Sequence, residues 1–152
     1  MSEKGKLNEK EIEELLLKTA VGYLALAKDN RPYVIPLNYA YCDEVIYFHC
    51  APGGRKINYI RANPRACFHV NESDGLIKGD NPCSHNYSYH SVIMEGVLEE
   101  ISGSEAKEVA LRKITAKYAG TDMAEEPISS KRIESVAVYR LIPESISGKR
   151  DS

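Results

Sequence analysis

The segment Val45-Ile-Tyr-Phe-His-Cys-Ala-Pro-Gly-Gly-Arg-Lys56 decides how this chain is read. Its first half is a run of β-branched and aromatic residues, the composition of a strand. The run breaks on Pro52-Gly53-Gly54, and two cations, Arg55 and Lys56, stand where a short helix would begin. Glycines let the backbone approach a ligand closely and take positive φ. A helix N-terminus adds unpaired N–H groups and a partial positive charge. Arg55 can fork onto phosphate oxygens, and Lys56 supplies a compact charge. The local chemistry therefore suits an anion, above all a phosphate. A plain strand-to-helix turn with solvated basic residues is the competing reading. The nucleotide P-loop is excluded, because its G-x-x-x-x-G-K-[ST] spacing is absent.

Two more strands precede this segment. Val21–Lys28 is strand-like, Asp29-Asn30 makes a turn, and Pro32–Tyr41 follows with Tyr33, Ile35, Leu37 and Tyr39 alternating on one face. Pro36 cannot donate to a ladder, so it predicts an edge or a bulge. Cys42-Asp43-Glu44 turns the chain into Val45–Cys50, and the three strands read as an antiparallel meander. A first helix is predicted after Asn8, with Glu11 completing a capping box and Ile12, Leu15 and Leu16 on one face. Beyond the glycine turn come a short helix at 56–61, a strand at 66–70 and an irregular polar stretch from Asn71 to Asn86. Strand character resumes from Tyr87 to Ile101, where Gly96 suggests a bulge or a close backbone approach. Ser104 caps a helix over 105–118, a last strand covers 133–141, and Pro143–Ser152 reads as a polar tail. Helices that do not alternate with the strands argue against a doubly wound parallel sheet. They favour a mainly β, α+β protein: a small antiparallel barrel with peripheral helices.

The 152 residues suit one domain, 1–152, with residues 1–7 and 143–152 expected as flexible tails. A net charge of −2 announces neither nucleic acid nor an anionic membrane as partner. No apolar run reaches membrane-span length, and the N-terminus lacks the apolar core of a signal peptide, so a cytoplasmic location is expected. The four cysteines carry no C-x-x-C pairing and are read as free thiols. Ten tyrosines, against two phenylalanines and no tryptophan, suit a half-wet cleft or a subunit interface.

Four segments in order resemble the flavin-binding split barrels related to pyridoxamine 5′-phosphate oxidase, and within them the 5-nitroimidazole resistance proteins. They are Val21-Gly-Tyr-Leu-Ala25, Pro32-Tyr-Val-Ile-Pro-Leu-Asn38, Ile46–Lys56 and Tyr89-His-Ser-Val-Ile-Met-Glu-Gly96; Ile146-Ser-Gly-Lys149 resembles the subgroup's closing motif. The resemblance implies a six- to seven-stranded, Greek-key-like split barrel that binds FMN at a homodimer interface. Pro36, Leu37 and Asn38 would line the flavin ring, and Phe48 and His49 would flank its ribityl chain. Gly54, Arg55 and Lys56 would hold the phosphate, Ser91 would reach in from the second subunit, and Lys149 belongs to the closing motif. Residues that clamp pyridoxal phosphate have no counterpart in the C-terminal part, which argues against vitamin B6 oxidation. The expected activity passes electrons from NAD(P)H to a small acceptor, such as a nitroimidazole or a quinone-like compound, with His49 as the polar group nearest substrate. The alternative is a flavin- or haem-binding module without turnover, a sensor or a store, with FAD or haem in place of FMN.

Other constellations are weaker. Cys83-x-His85-x4-His90, with His69, fits no common zinc spacing, so no metal site is expected. For haem, His49, His69, His85 or His90 could each serve as an axial ligand. Cys50 would need a base and a lowered pKa to act as a nucleophile, and a buried thiol is the simpler reading.

Overall fold

The computed structural model describes residues 4–151. Chain order is β1 (Lys4–Lys6), α1 (Glu9–Lys18), β2 (Gly22–Lys28), β3 (Arg31–Leu37), β4 (Ala40–Cys42), β5 (Val45–Cys50), α2 (Arg55–Ala62), β6 (Arg65–Ile77), β7 (Asn86–Glu100), α3 (Ser104–Ala119), α4 (Thr121–Ala124), α5 (Ser130–Glu134) and β8 (Ala137–Asp151). Eight strands form one antiparallel sheet in the order β3-β2-β6-β7-β8-β5-β4, with β1 paired to the far end of β8. The sheet curls without closing, as a split barrel does. Its inner face holds Leu24, Phe68, Val70, Val92, Met94, Phe48, Ile46 and Leu141, each at most 1% exposed. Full burial of such side chains contributes about 1.5–3 kcal/mol apiece. Helix α1 seals this core with Leu15 and Leu16, and α2 does so with Ile57 and Ile60. Among the described residues, no helix is long and apolar enough to cross a membrane.

Local signals set much of this. Asn8 caps α1 in a reciprocal box: Glu11 N donates to the Asn8 side chain at 2.9 Å, and Asn8 N donates to the Glu11 carboxylate at 2.8 Å. The β2–β3 hairpin turns on Asp29 and Asn30, and the β4–β5 hairpin on Asp43 and Glu44, all four at positive φ. Pro36 lies on the free edge of the sheet, where no ladder bond is asked of it. At Gly96 the β7–β8 register shifts, and a Cβ there would stand 2.0 Å from the Ile142 carbonyl oxygen. Both features expected of that glycine are present.

Four expectations are corrected. The first three strands do not form one meander, since β3 ends the sheet on one side while β5 pairs with β8 on the other. The chain crosses between them at Asn38-Tyr39, where the buried Tyr39 hydroxyl donates to the Leu16 carbonyl at 2.5 Å. The irregular stretch from Asn71 to Asn86 is largely ladder: β6 runs on to Ile77 and pairs with β7 down to Asn86, bulging at Asp74. Residues 143–151 are not a tail, because β8 continues to Asp151, pairs with β7 and β1, and packs Ile146 on the core. Of the other expected tail, residues 1–3 lie outside the described residues, while Lys4–Lys6 form β1 and Leu7 is buried. Ile133 belongs to α5 rather than to the last strand, with Ser129 as the cap accepting from Arg132 N.

Candidate functional site

The turn after β5 is built as its composition demands. Gly54, at φ +103°, is the N-cap of α2, a backbone state that side chains rarely adopt. The first helical bond runs from Asn58 N to Gly54 O at 3.0 Å. The N–H groups of Arg55, Lys56 and Ile57 therefore precede the intrahelical ladder and face outward from the helix start. The Arg55 guanidinium lies 4.1 Å from the Tyr33 ring centroid and 5.5 Å from that of Tyr59. Those rings are themselves 5.0 Å apart, so β3 and α2 together form an aromatic seat that holds the arginine flat. Sequence reading found Arg55 but not this seat. The signal was there, since Tyr33 falls on the inward-facing period of β3.

His49 is next to last in β5, its side chain open to solvent on one side. Its pKa is lowered, first by desolvation and then by the charges of Arg132 and Lys56. Arg132 is a second residue the sequence reading missed, because it fell just before the expected last strand, in no assigned element. Among the described residues, Arg55, Lys56 and Arg132 have no ion-paired carboxylate. This end of the molecule thus gathers three cations outside any ion pair beside an imidazole biased toward its neutral form. Cys50 follows His49, and burial pushes its thiol pKa up, which disfavours a nucleophilic thiolate.

Not every expected contact is open. Pro36 and Asn38 are exposed, but Leu37 points into the core, and Phe48 is fully buried in a stack 5.7 Å from Tyr139. Leu37 and Phe48 can offer a ligand their backbone only. Ser91 and Lys149 are register partners on β7 and β8. They line a separate cavity of about 480 Å³ with Lys6, Ile12, Ile93 and Ile146. One row across the outer face joins Pro36, Tyr23, His69, Ile93 and Ser147 through successive strand pairs. Four strand spacings, about 19 Å along the sheet, separate its ends. The glycine turn is farther still: Cys50, just before it, pairs with Ala137 at the start of β8, and Lys149 lies about 40 Å further along that strand. Between the two groups, the outer face exposes Val34, Tyr23 and Ile93.

The remaining histidines have their own settings. The His69 ring lies 6.5 Å from Tyr23, and His85 Nδ1 accepts from Gly79 N at 3.4 Å. His90 pairs with Asp74 at 3.2 Å and accepts from Arg150 Nε at 3.0 Å. Among the described residues, no three His, Cys, Asp or Glu side chains are placed to hold a metal ion.

An open antiparallel half-barrel with a cationic glycine turn at one strand end defines a split-barrel protein. The pyridoxamine 5′-phosphate oxidase family matches over residues 8–150, and the chain belongs to that family. A FAD-binding protein from Mesorhizobium loti has a similar solved structure: 30% identity, 98% of this chain and 99% of that one covered, TM-score 0.72. A candidate 5-nitroimidazole antibiotic resistance protein from Bacteroides thetaiotaomicron shares the fold at 23% identity, over 99% and 89% of the two chains, TM-score 0.82. A FAD and haem binding protein from Mycobacterium smegmatis does so at 18% identity, over 98% and 73%, TM-score 0.88. A curated relative, an uncharacterised protein of Rhizobium meliloti, is 27% identical over 82 residues, which are 54% of this chain and 47% of that one. The match therefore spans about half the length of that relative.

Proposed function

We propose that the chain is a cytoplasmic FMN-dependent oxidoreductase acting as a homodimer, which passes electrons from NAD(P)H to a small nitro-aromatic or quinone-like acceptor. The observation that carries this is the turn at Gly54: outward N–H groups, a seated Arg55, Lys56 and Arg132, with no carboxylate to neutralise them. The lack of an ion-paired carboxylate holds among the described residues, with Glu100 acting on Cys50 from the same neighbourhood as Lys56, and the set suits a dianionic phosphate monoester. The bound flavin would supply the two-electron chemistry. The chain's own residues bind and orient. Gly54, Arg55 and Lys56 take the phosphate, Pro36, Leu37 and Asn38 offer an edge strand to the ring, and the Phe48 backbone flanks the ribityl chain. His49, held neutral, is placed to accept or return a proton.

Two half-sites about 19 Å apart on one sheet support the dimer. A second copy laid on the exposed Val34, Tyr23 and Ile93 face would bring its own Ser91 and Lys149 to the first copy's Pro36. The 30% identical FAD-binding protein supports a flavin here.

The visible spectrum of the purified protein tests the reading. A flavin band near ~450 nm, bleached by NADH or NADPH and restored by a nitroimidazole, is expected. A Soret band instead would make it a haem module, and a flavin that no nicotinamide reduces would leave a binding protein without turnover.

A further inference from the structure

We propose that a groove between α1, β4 and α3, away from the glycine turn, binds a small organic carboxylate with an apolar body. The cavity is about 430 Å³ and is lined by Leu17, Ala40, Tyr41, Ala116 and two lysines, Lys113 and Lys117. Cys42 completes the wall. The lysines stand four residues apart on one face of α3, a like-charge spacing that works against a helix. Among the described residues, neither lysine has a carboxylate within ion-pair distance.

Part of this is structural. The Lys117 ammonium donates to the Thr19 carbonyl at 2.6 Å and sits 3.3 Å from the Tyr39 ring centroid. It ties α3 to the C-terminal end of α1. That uses one of its three donors and one aromatic face, and leaves a donor for a ligand. Lys113 has no such duty: its ammonium lies 4.9 Å from the Tyr47 ring centroid and, among the described residues, makes no hydrogen bond. A cation kept over a ring at the lip of an apolar cavity is what a carboxylate-bearing ligand would need. Leu17, half exposed, and the two alanines provide the surface for its body.

The nearby acids do not fill this role. Asp43 accepts from the Cys42 thiol at 3.5 Å, and Glu13, Asp43 and Glu44 bear on Tyr41, but none lines the groove. The groove also lacks the glycine turn and helix start that suit phosphate, and its apolar walls of Leu17, Ala40 and Ala116 match the body of an organic carboxylate better than a hydrated inorganic phosphate. Burial lowers the Lys117 pKa to about 8, and an adjacent carboxylate would raise it again. The titratable groups around this ammonium are Tyr39, Tyr41 and Cys42 from the β3–β4 region and Lys113 and Tyr118 from α3.

The inference does not rest on the flavin reading. Its test is calorimetric titration of the full-length protein, as purified, with benzoate, benzyl alcohol and inorganic phosphate. Saturable binding of benzoate and neither of the others is expected. Lys113→Met should weaken it about tenfold or more, and Lys113→Arg should restore most of it, both at unchanged thermal midpoint. At pH 8.5 benzoate binding should also take up protons, read as a dependence of the heat on buffer ionisation enthalpy. The proposal is overturned if benzoate fails to saturate, if Lys113→Met binds it as the native chain does, or if Arg55→Ala with Lys56→Ala abolishes it. That last outcome would move the carboxylate to the glycine turn.

Discussion

The long ribbon β6–β7–β8 and the short strands β3, β4 and β5 follow different rules within one sheet. The ribbon strands run 13 to 15 residues and bury Phe68, Val70, Val92, Met94 and Leu141. The short strands run three to seven residues, turn on positive-φ residues and lead to the charged patch. The ribbon supplies most of the core, and under the proposed reading the short strands carry the phosphate-binding turn, with Ser91 and Lys149 as the ribbon's share of the site. A framework fixed by pairing leaves strand ends free to vary. Four variants test whether the two properties separate.

The largest effect is expected in the ribbon. Gly96→Val forces a Cβ against the Ile142 backbone, so β8 must shift; a loss of about 4 kcal/mol or more of stability should appear in urea unfolding. Any residual folded protein should still bind flavin, and lost affinity at native stability would undo the separation. Next comes the turn. Arg55→Ala with Lys56→Ala should weaken flavin binding by about 3 kcal/mol or more, at ~1.5–3 per hydrogen bond to a charged group, with little change in thermal midpoint. Unchanged affinity in a fluorescence titration would refute the phosphate assignment.

Tyr39→Phe stands between the regions. It leaves the Leu16 carbonyl without its donor and should cost about 1–2 kcal/mol in unfolding experiments. A matching fall in flavin affinity would place the β3–β4 link with the site rather than the framework.

The smallest effect concerns His49. In flavin-free protein its NMR titration midpoint should lie below the usual ~6.5, because burial and cations favour the neutral ring. The sign follows from linkage. The unfolded chain binds the proton more readily, so this group's contribution to stability falls as pH drops through that usual value. Arg132→Ala should raise the midpoint only in part, since desolvation is the larger cause. A midpoint unmoved by Arg132→Ala would detach α5 from the site.

Sequence reading succeeded where one residue type has one use. Asn8 with Glu11, Asp29-Asn30, Pro36 on an edge, Gly96 at a close approach and Gly54 before a helix all follow from local chemistry. It failed where pairing overrides pattern. The stretch from Asn71 to Asn86 and residues 143–151 are polar because their ribbon is wet, so they lack the alternation that marks a half-buried strand. At the site, the cations of the turn were legible. The burial of Leu37 and Phe48, the aromatic seat of Arg55 and the reach of Arg132 depend on which strands lie side by side, and no local pattern states that.

The placement of β8 between β7 and β5 bears on how the molecule is made. Strand β5 has only three-residue β4 as a neighbour until residues 137–141 leave the ribosome. The turn at Gly54 is translated well before β8, the strand that flanks β5 on its other side. If the turn holds a flavin phosphate as proposed, the strand that leads to it is paired on both sides only once β8 has been made.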